Sequence, residues 1–277
     1  MKLGTGVPPL NLDPVPEVPL VGSPLEKVLT QVVFSPTPEL VSDEGERLLA
    51  AALAGYPIRR HGVSLNLSMG PVPGAIEQTN TATRQYADRS QSWVVAATEA
   101  SISLETTNYK SRDDFCQRFR GILDAVHTVA PPPVVDRVGL RYINRLRGHE
   151  AIGQLNDYVN PRLCGFQGTV DPSLMVEHSV SDSLIGVGEG ERMRVRVGLL
   201  PANMALDPAT MPLDEPSWVL DIDIFTTTAG FSFEPEALDD RLRRYAEHIH
   251  SVFRWAVTDA FLQAHRGPPG NTEEVGG

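Results

Sequence analysis

Apolar residues alternate with polar ones in several short runs, and a period of two predicts strands. Val28, Thr30, Val32 and Phe34 make one face of a first strand. Val63, Leu65 and Leu67 alternate with Ser64, Asn66 and Ser68 in a second. Trp93, Val95 and Ala97 begin a third, and Ile102 with Leu104 marks a fourth. Between the first two strands, Ser42 opens a helix through Ala54 that carries Leu48, Leu49, Ala52 and Leu53, with Gly55 as its stop. Ser111 caps a second helix, with Asp114 three residues on in a variant of the capping box. Phe115, Phe119, Ile122 and Val126 put one face of that helix in the core, and Pro131, Pro132 and Pro133 end it.

The second half repeats the order. Val138, Leu140 and Tyr142 open a long strand opposed by Arg137, Arg141 and Arg145. A short helix around Ala151–Val159 follows, then strands near Val176–Val180, Met193–Val197 and Leu220–Ile224. The last helix starts after Pro235 and runs to about His265 on the stripe Leu238, Leu242, Tyr245, Ile249, Val252, Ala256 and Ala260. Glu236, Asp239 and Asp240 lie in its first turn, where the helix dipole favours them. Each half thus reads β-α-β-β-β-α, and Ser92-Trp93-Val94-Val95 echoes Ser217-Trp218-Val219-Leu220. The expected fold class is α+β: antiparallel sheet with helices packed on one face, with an internal duplication of that unit as the expected origin. Four stretches follow: a proline-rich extended arm over 1–24, a first half over 25–130, a second over 131–266, and a flexible tail over 267–277. Prolines 8, 9, 14, 16, 19 and 24 exclude helix and central strand from the arm.

Composition narrows the function. The chain of 277 residues is 41% hydrophobic and 21% charged, the make-up of a globular protein with a core. A net charge of −11 disfavours general nucleic-acid binding. No apolar run reaches the length of a membrane helix, so no membrane partner is expected. Two cysteines, Cys116 and Cys164, are too few for a disulfide framework or a cysteine zinc site. The N-terminal stretch lacks a signal-peptide pattern, which points to cytoplasmic residence with reduced thiols. The chain has no G-x-S-x-G, H-E-x-x-H, P-loop or C-x-x-C motif, and its only lysines are Lys2, Lys27 and Lys110. Binding is therefore expected over catalysis, and no cofactor is expected.

The remaining 21 basic residues are arginines, and several line strand faces. Arg192, Arg194 and Arg196 alternate with Met193, Val195 and Val197, while Asp221 and Asp223 alternate with Leu220, Ile222 and Ile224. With Arg137, Arg141 and Arg145, six arginines and two aspartates share one surface if the strands are neighbours. One reading is a solvated face joined by cross-strand Arg–Asp pairs. The other is a site for a phosphorylated ligand, with Asp221 and Asp223 holding a divalent metal in a phosphohydrolase version. That version is similar in outline to triphosphate-hydrolysing tunnel enzymes. The chain lacks their N-terminal alternating-glutamate motif ending in lysine, with only Glu26-Lys27 near that place. Gly186 to Gly190 reads as a hairpin turn, because no strand-before, helix-after context supports a phosphate loop. His248 and His250, two apart on a helix, diverge too far to share a metal. An RNA-binding sheet needs exposed aromatics, for which only Tyr142 and Phe225 offer themselves.

The segments PLEKVLTQVVFSP, SISLETTNYKSRDDFCQRFRGILDAV, VDRVGLRYINRL and RRYAEHIHSVFRWAVTDAFLQ carry a resemblance covering nearly all of the chain after the arm. The chain resembles a family of uncharacterised prokaryotic proteins of similar length, sporadically distributed across bacteria and archaea. Val138 to Arg145 is the most specific stretch. The resemblance implies no activity. Its patchy distribution implies a mobile-element, defence or toxin–antitoxin setting. The leading expectation is a non-enzymatic cytoplasmic interaction protein that binds a protein partner or a second copy of itself, with the arm as a docking element. The alternative is binding or hydrolysis of a phosphorylated small molecule on the arginine face.

Overall fold

The computed structural model describes residues 8–18, 20–69, 76–171 and 173–266, without the side chains of 63–69, 76–81, 167 and 168. The strands are β1 (Leu25–Phe34), β2 (Ile58–Met69), β3 (Ile76–Ala87), β4 (Trp93–Thr98), β5 (Ser101–Thr106), β6 (Val135–Arg147), β7 (Ser179–Gly188), β8 (Glu191–Leu200) and β9 (Ser217–Thr226). The helices are α1 (Asp43–Ala52), α2 (Arg112–Val129), α3 (Gly148–Gly153), α4 (Leu155–Tyr158), α5 (Pro235–Ala256) and α6 (Asp259–Ala264). All nine strands join one sheet in the order β2-β3-β4-β5-β1-β6-β9-β8-β7, and every neighbouring pair is antiparallel. This is the α+β architecture that the alternation predicts.

Period-two burial follows from one covered face. Val28, Thr30, Val32 and Phe34 on β1 are all buried, as are Val138, Leu140 and Tyr142 on β6 and Leu220, Ile222 and Ile224 on β9. They meet Phe115, Phe119, Ile122 and Val126 of α2 and Leu238, Leu242, Tyr245, Ile249 and Val252 of α5 in one apolar core. Ser42 caps α1 by accepting from the Gly45 amide, and Ser111 caps α2 by accepting from the Asp114 amide. The seam between the halves is the β1–β6 pair, where Val28 faces Tyr142 and Thr30 faces Leu140. Thr30 Oγ1, fully buried there, donates to the Gly139 carbonyl at 2.8 Å.

Several expectations shift. A strand is added: β3 pairs with β2 over its whole length, so the first half contributes five strands. The strand expected at Val176–Val180 starts three residues later and runs to Gly188, so most of the stretch before Glu189-Gly190 belongs to β7. The turn itself closes the β7–β8 hairpin, with Gly190 at φ +67°. The last helix breaks at Val257 and Thr258. Val257 bridges Val159, and Thr258 caps α6 through Oγ1 while its amide donates to the Tyr158 carbonyl. Of the apolar positions read on the first and last helices, Leu48, Ala52 and Ala260 are exposed. Trp93 lies on β4, two strands out from the seam strand β1, whereas Trp218 lies on β9 directly beside β6. The echoed tetrapeptides therefore hold different places in the two halves.

From Pro8 to Pro16 the proline-rich arm lies on α5 of its own chain, and Leu20 bridges Arg266 beyond α6. Trp255 Nε1 donates to the Pro8 carbonyl at 2.9 Å, Ser251 Oγ to Asp13 at 2.8 Å, and His250 Nε2 to Pro16 at 3.2 Å. An extended proline-rich segment has no internal hydrogen bonds, so its carbonyls are open to such donors. Among the described residues no helix is long and apolar enough to cross a membrane.

Candidate functional site

The sheet order makes β6, β9 and β8 neighbours, so the predicted residues do come together on the face opposite the helices. Register places Arg141, Asp223 and Arg194 in one cross-strand row. Asp221 and Arg196 sit in the next row, with Asp182 of β7 beyond them. Of the closest pairs, Arg141–Asp221 crosses between rows and Arg196–Asp221 lies within one. Arg141 Nε donates to Asp221 Oδ1 at 2.7 Å, and Arg196 Nε donates to Oδ2 of the same aspartate at 2.8 Å. Asp221 is 1% exposed, so both its oxygens are enclosed by these two guanidinium groups.

A third carboxylate, unforeseen from the sequence, closes this arrangement. Asp207 belongs to the stretch between β8 and β9, and its Oδ2 accepts from Arg141 Nη2 at 2.7 Å and from Arg196 Nη2. Its Oδ1 accepts from the Ala209 amide at 2.9 Å and from Thr210 Oγ1 at 3.3 Å. The same stretch covers Ile143, Leu200 and Val219 with Leu206 and Ala209. Burial opposes ionisation of Asp207. The hydrogen bonds from Arg196 and Arg141 outweigh it and hold the carboxyl at about 2.

The other predicted residues have partners of their own, although Arg145 Nη2 is buried without one among the described residues. Arg194 forks onto Asp182 with Nε–Oδ1 at 2.9 Å. Arg137 lies 3.6 Å from Asp223 and stacks over the Phe225 ring at 4.7 Å. Gly139 permits this, because a Cβ there would stand 3.1 Å from Arg137 Nη1. Burial pushes the Asp223 carboxyl up, with Arg137 acting against it. Arg192 donates to the Glu191 carbonyl at 2.9 Å. Arg145 is enclosed, at 3% exposure. It donates to Ser217 Oγ at 3.0 Å and to the Met211 carbonyl, and burial pulls its pKa down. Asp221 and Asp223 follow the expected i, i+2 alternation, but their carboxylates serve different arginines. Among the described residues no three His, Cys, Asp or Glu side chains gather as a metal site would require.

The weaker candidates resolve simply. Cys116 is buried, and burial drives its thiol up to about 12. Cys164 is half-buried against the Asn160 carbonyl, and burial raises it too. Tyr142 turns to the helix side, and its hydroxyl meets Tyr109 Oη at 3.0 Å. There it lines a cavity of about 360 Å³ between the arm, α5 and the turn before α2, with Asn144 beside it. No sequence motif marks this cavity, because its lining comes from four separate stretches of chain. No family model matches the chain, and no curated protein matches it.

Proposed function

We propose that this chain is a non-enzymatic cytoplasmic interaction protein that receives an extended segment of a protein partner along the outer edge of β7. The observation that carries the reading is the state of that edge. β7 ends the sheet, pairs with β8 on one side only, and is exposed from Ser181 to Gly186. Leu184 is 64% exposed and Ile185 37%, on opposite faces of the strand. Natural edge strands are normally shielded by lysine, proline or inward charge. This one has no lysine or proline, and its one charge, Asp182, is engaged by Arg194. Such an edge suits strand addition, in which main-chain hydrogen bonds bind and alternate side chains select.

The occupant is another protein rather than a second copy, because a chain of net charge −11 repels itself and favours a neutral or basic segment. The arginine face supports the non-enzymatic part of the reading, since its closest guanidinium groups already hold the chain's own carboxylates. A mobile-element or defence locus is the setting that the resemblance suggests.

The test starts from a tagged chain purified from its native cells, with the co-purifying protein identified and the pair reconstituted from pure components. The double variant Leu184→Lys, Ile185→Lys is expected to weaken that complex at least tenfold while leaving the melting temperature of the free chain nearly unchanged. Unchanged affinity overturns the reading, as does a homodimer by light scattering that the variant dissolves. Magnesium-dependent triphosphate hydrolysis lost in Arg196→Ala overturns it in favour of the phosphohydrolase alternative.

A further inference from the structure

The cavity beneath the arm is separate from the β7 edge and lies on the other face of the sheet. Its volume of about 360 Å³ falls within the range of roughly 300–1,000 Å³ usual for small-ligand sites. We propose that it binds a small uncharged molecule, apolar over most of its surface and carrying one carbonyl-type hydrogen-bond acceptor.

The apolar part follows from the walls. Ile249 and Phe253 of α5 face Leu25 at the start of β1, and Leu20 of the arm completes the roof. The acceptor follows from the floor. Tyr109 and Tyr142 share one hydroxyl–hydroxyl contact at 3.0 Å, with their rings edge-on at 5.5 Å. Two hydroxyls joined by one hydrogen bond hold two protons and use only one of them on each other. The second O–H is available to a ligand. Burial raises both phenols, so the pair stays protonated and remains a donor through the neutral range. Asn144, 4% exposed, adds a polar edge beside them.

The absence of ligand charge follows from the rim. Arg112 is shared between Glu17 of the arm and Glu247 of α5, each at 3.3 Å. His250 is turned to the Pro16 carbonyl, and burial lowers its pKa toward the neutral form. Lys110 is exposed, where water and salt screen its charge. Charges at the mouth therefore cancel or are screened, and selection falls to shape and the spare phenol proton. The arm forms the roof, held to α5 by side-chain donors to its carbonyls and, at Leu20 and Val21, by backbone pairing to the stretch after α6, so access requires local lifting of the arm.

Acetophenone, benzamide and benzoate serve as probes in calorimetric and ligand-observed NMR titrations of the full chain. Acetophenone and benzamide are expected to bind, and benzoate at least tenfold more weakly. Tyr109→Phe is expected to weaken acetophenone by about two- to tenfold, the worth of one net hydrogen bond. Ala246→Phe, which fills the cavity from α5, is expected to abolish binding. Leu20→Trp fills it from the arm and gives the same readout where the helix variant fails to fold. Absence of binding by the neutral probes overturns the proposal. So does benzoate binding equal to acetophenone, or full acetophenone affinity in a folded filling variant.

Discussion

Asp207 joins Arg141 and Arg196 from outside the sheet, and its carboxylate takes the position that a bound anion would need. Removing its charge leaves two guanidinium groups facing Asp221 alone, and it also frees the β8–β9 connection. Asp207→Asn is expected to lower stability by about 1–3 kcal/mol, measured as a shift in the urea midpoint at unchanged slope. Its pH signature follows from the depressed folded pKa. The stabilisation is present above the unfolded value near 4 and is lost as pH falls toward the folded value of about 2. Asp223 works in the opposite sense, because its carboxyl is raised in the fold and protonation relieves its burial. The wild-type chain should therefore lose stability between about pH 4 and pH 2 by an amount that Asp207→Asn no longer shows. An identical acid limb in both proteins would remove Asp207 from this role.

At the scale of elements, the start of the arm is held to α5 by side-chain donors to its carbonyls. Trp255, half-buried, holds its start through one indole hydrogen bond to Pro8. Trp255→Phe keeps the ring and removes the donor. The expected result is several-fold faster protease cleavage within residues 8–20, with global stability changed by no more than about 1 kcal/mol. A cleavage rate equal to wild type would mean that the other arm contacts suffice. What was legible at this scale follows burial. β1, β4, β5, α2 and α5 each present one face to the core, so their periods are visible in the residues. β3 was not legible because Ile76–Ala87 is rich in Thr, Gln and Asn and shows no apolar alternation. β7 was displaced because an edge strand exposed on both faces carries no single buried face to read. The arginine cluster was legible, since i, i+2 spacing puts side chains on one face whatever the neighbours are. Asp207 and the cavity were not, because they depend on which loops the fold brings over the sheet.

For the whole molecule, the net charge of −11 conceals a local order in which arginines and aspartates meet on one sheet face while both halves share the other. That sharing bears on how the molecule unfolds. β1 and β6 pair at nine positions across the seam, and the core under them mixes Val28 and Leu104 with Leu140, Ile222 and Tyr245. Separating the halves would turn each seam strand into an edge and expose apolar surface from both sides, at about 25 cal/mol for each Å² uncovered. Neither half should therefore outlast the other. Calorimetry is expected to give one transition, with the calorimetric enthalpy equal to the van't Hoff enthalpy. Residues 25–130 and 131–266 expressed separately should not fold. Two resolved transitions, or a separately folded half with dispersed amide resonances, would show that the seam is an interface between independent units. In that case strain or ligand binding on one sheet face would have no direct route to the other half. With a single transition, occupancy of the cavity beneath the arm stabilises both halves against global unfolding. A ligand that stabilises the fold would then slow amide exchange at positions that open only by global unfolding, such as those of the β1–β6 seam, and leave local fraying of the β7 edge unchanged.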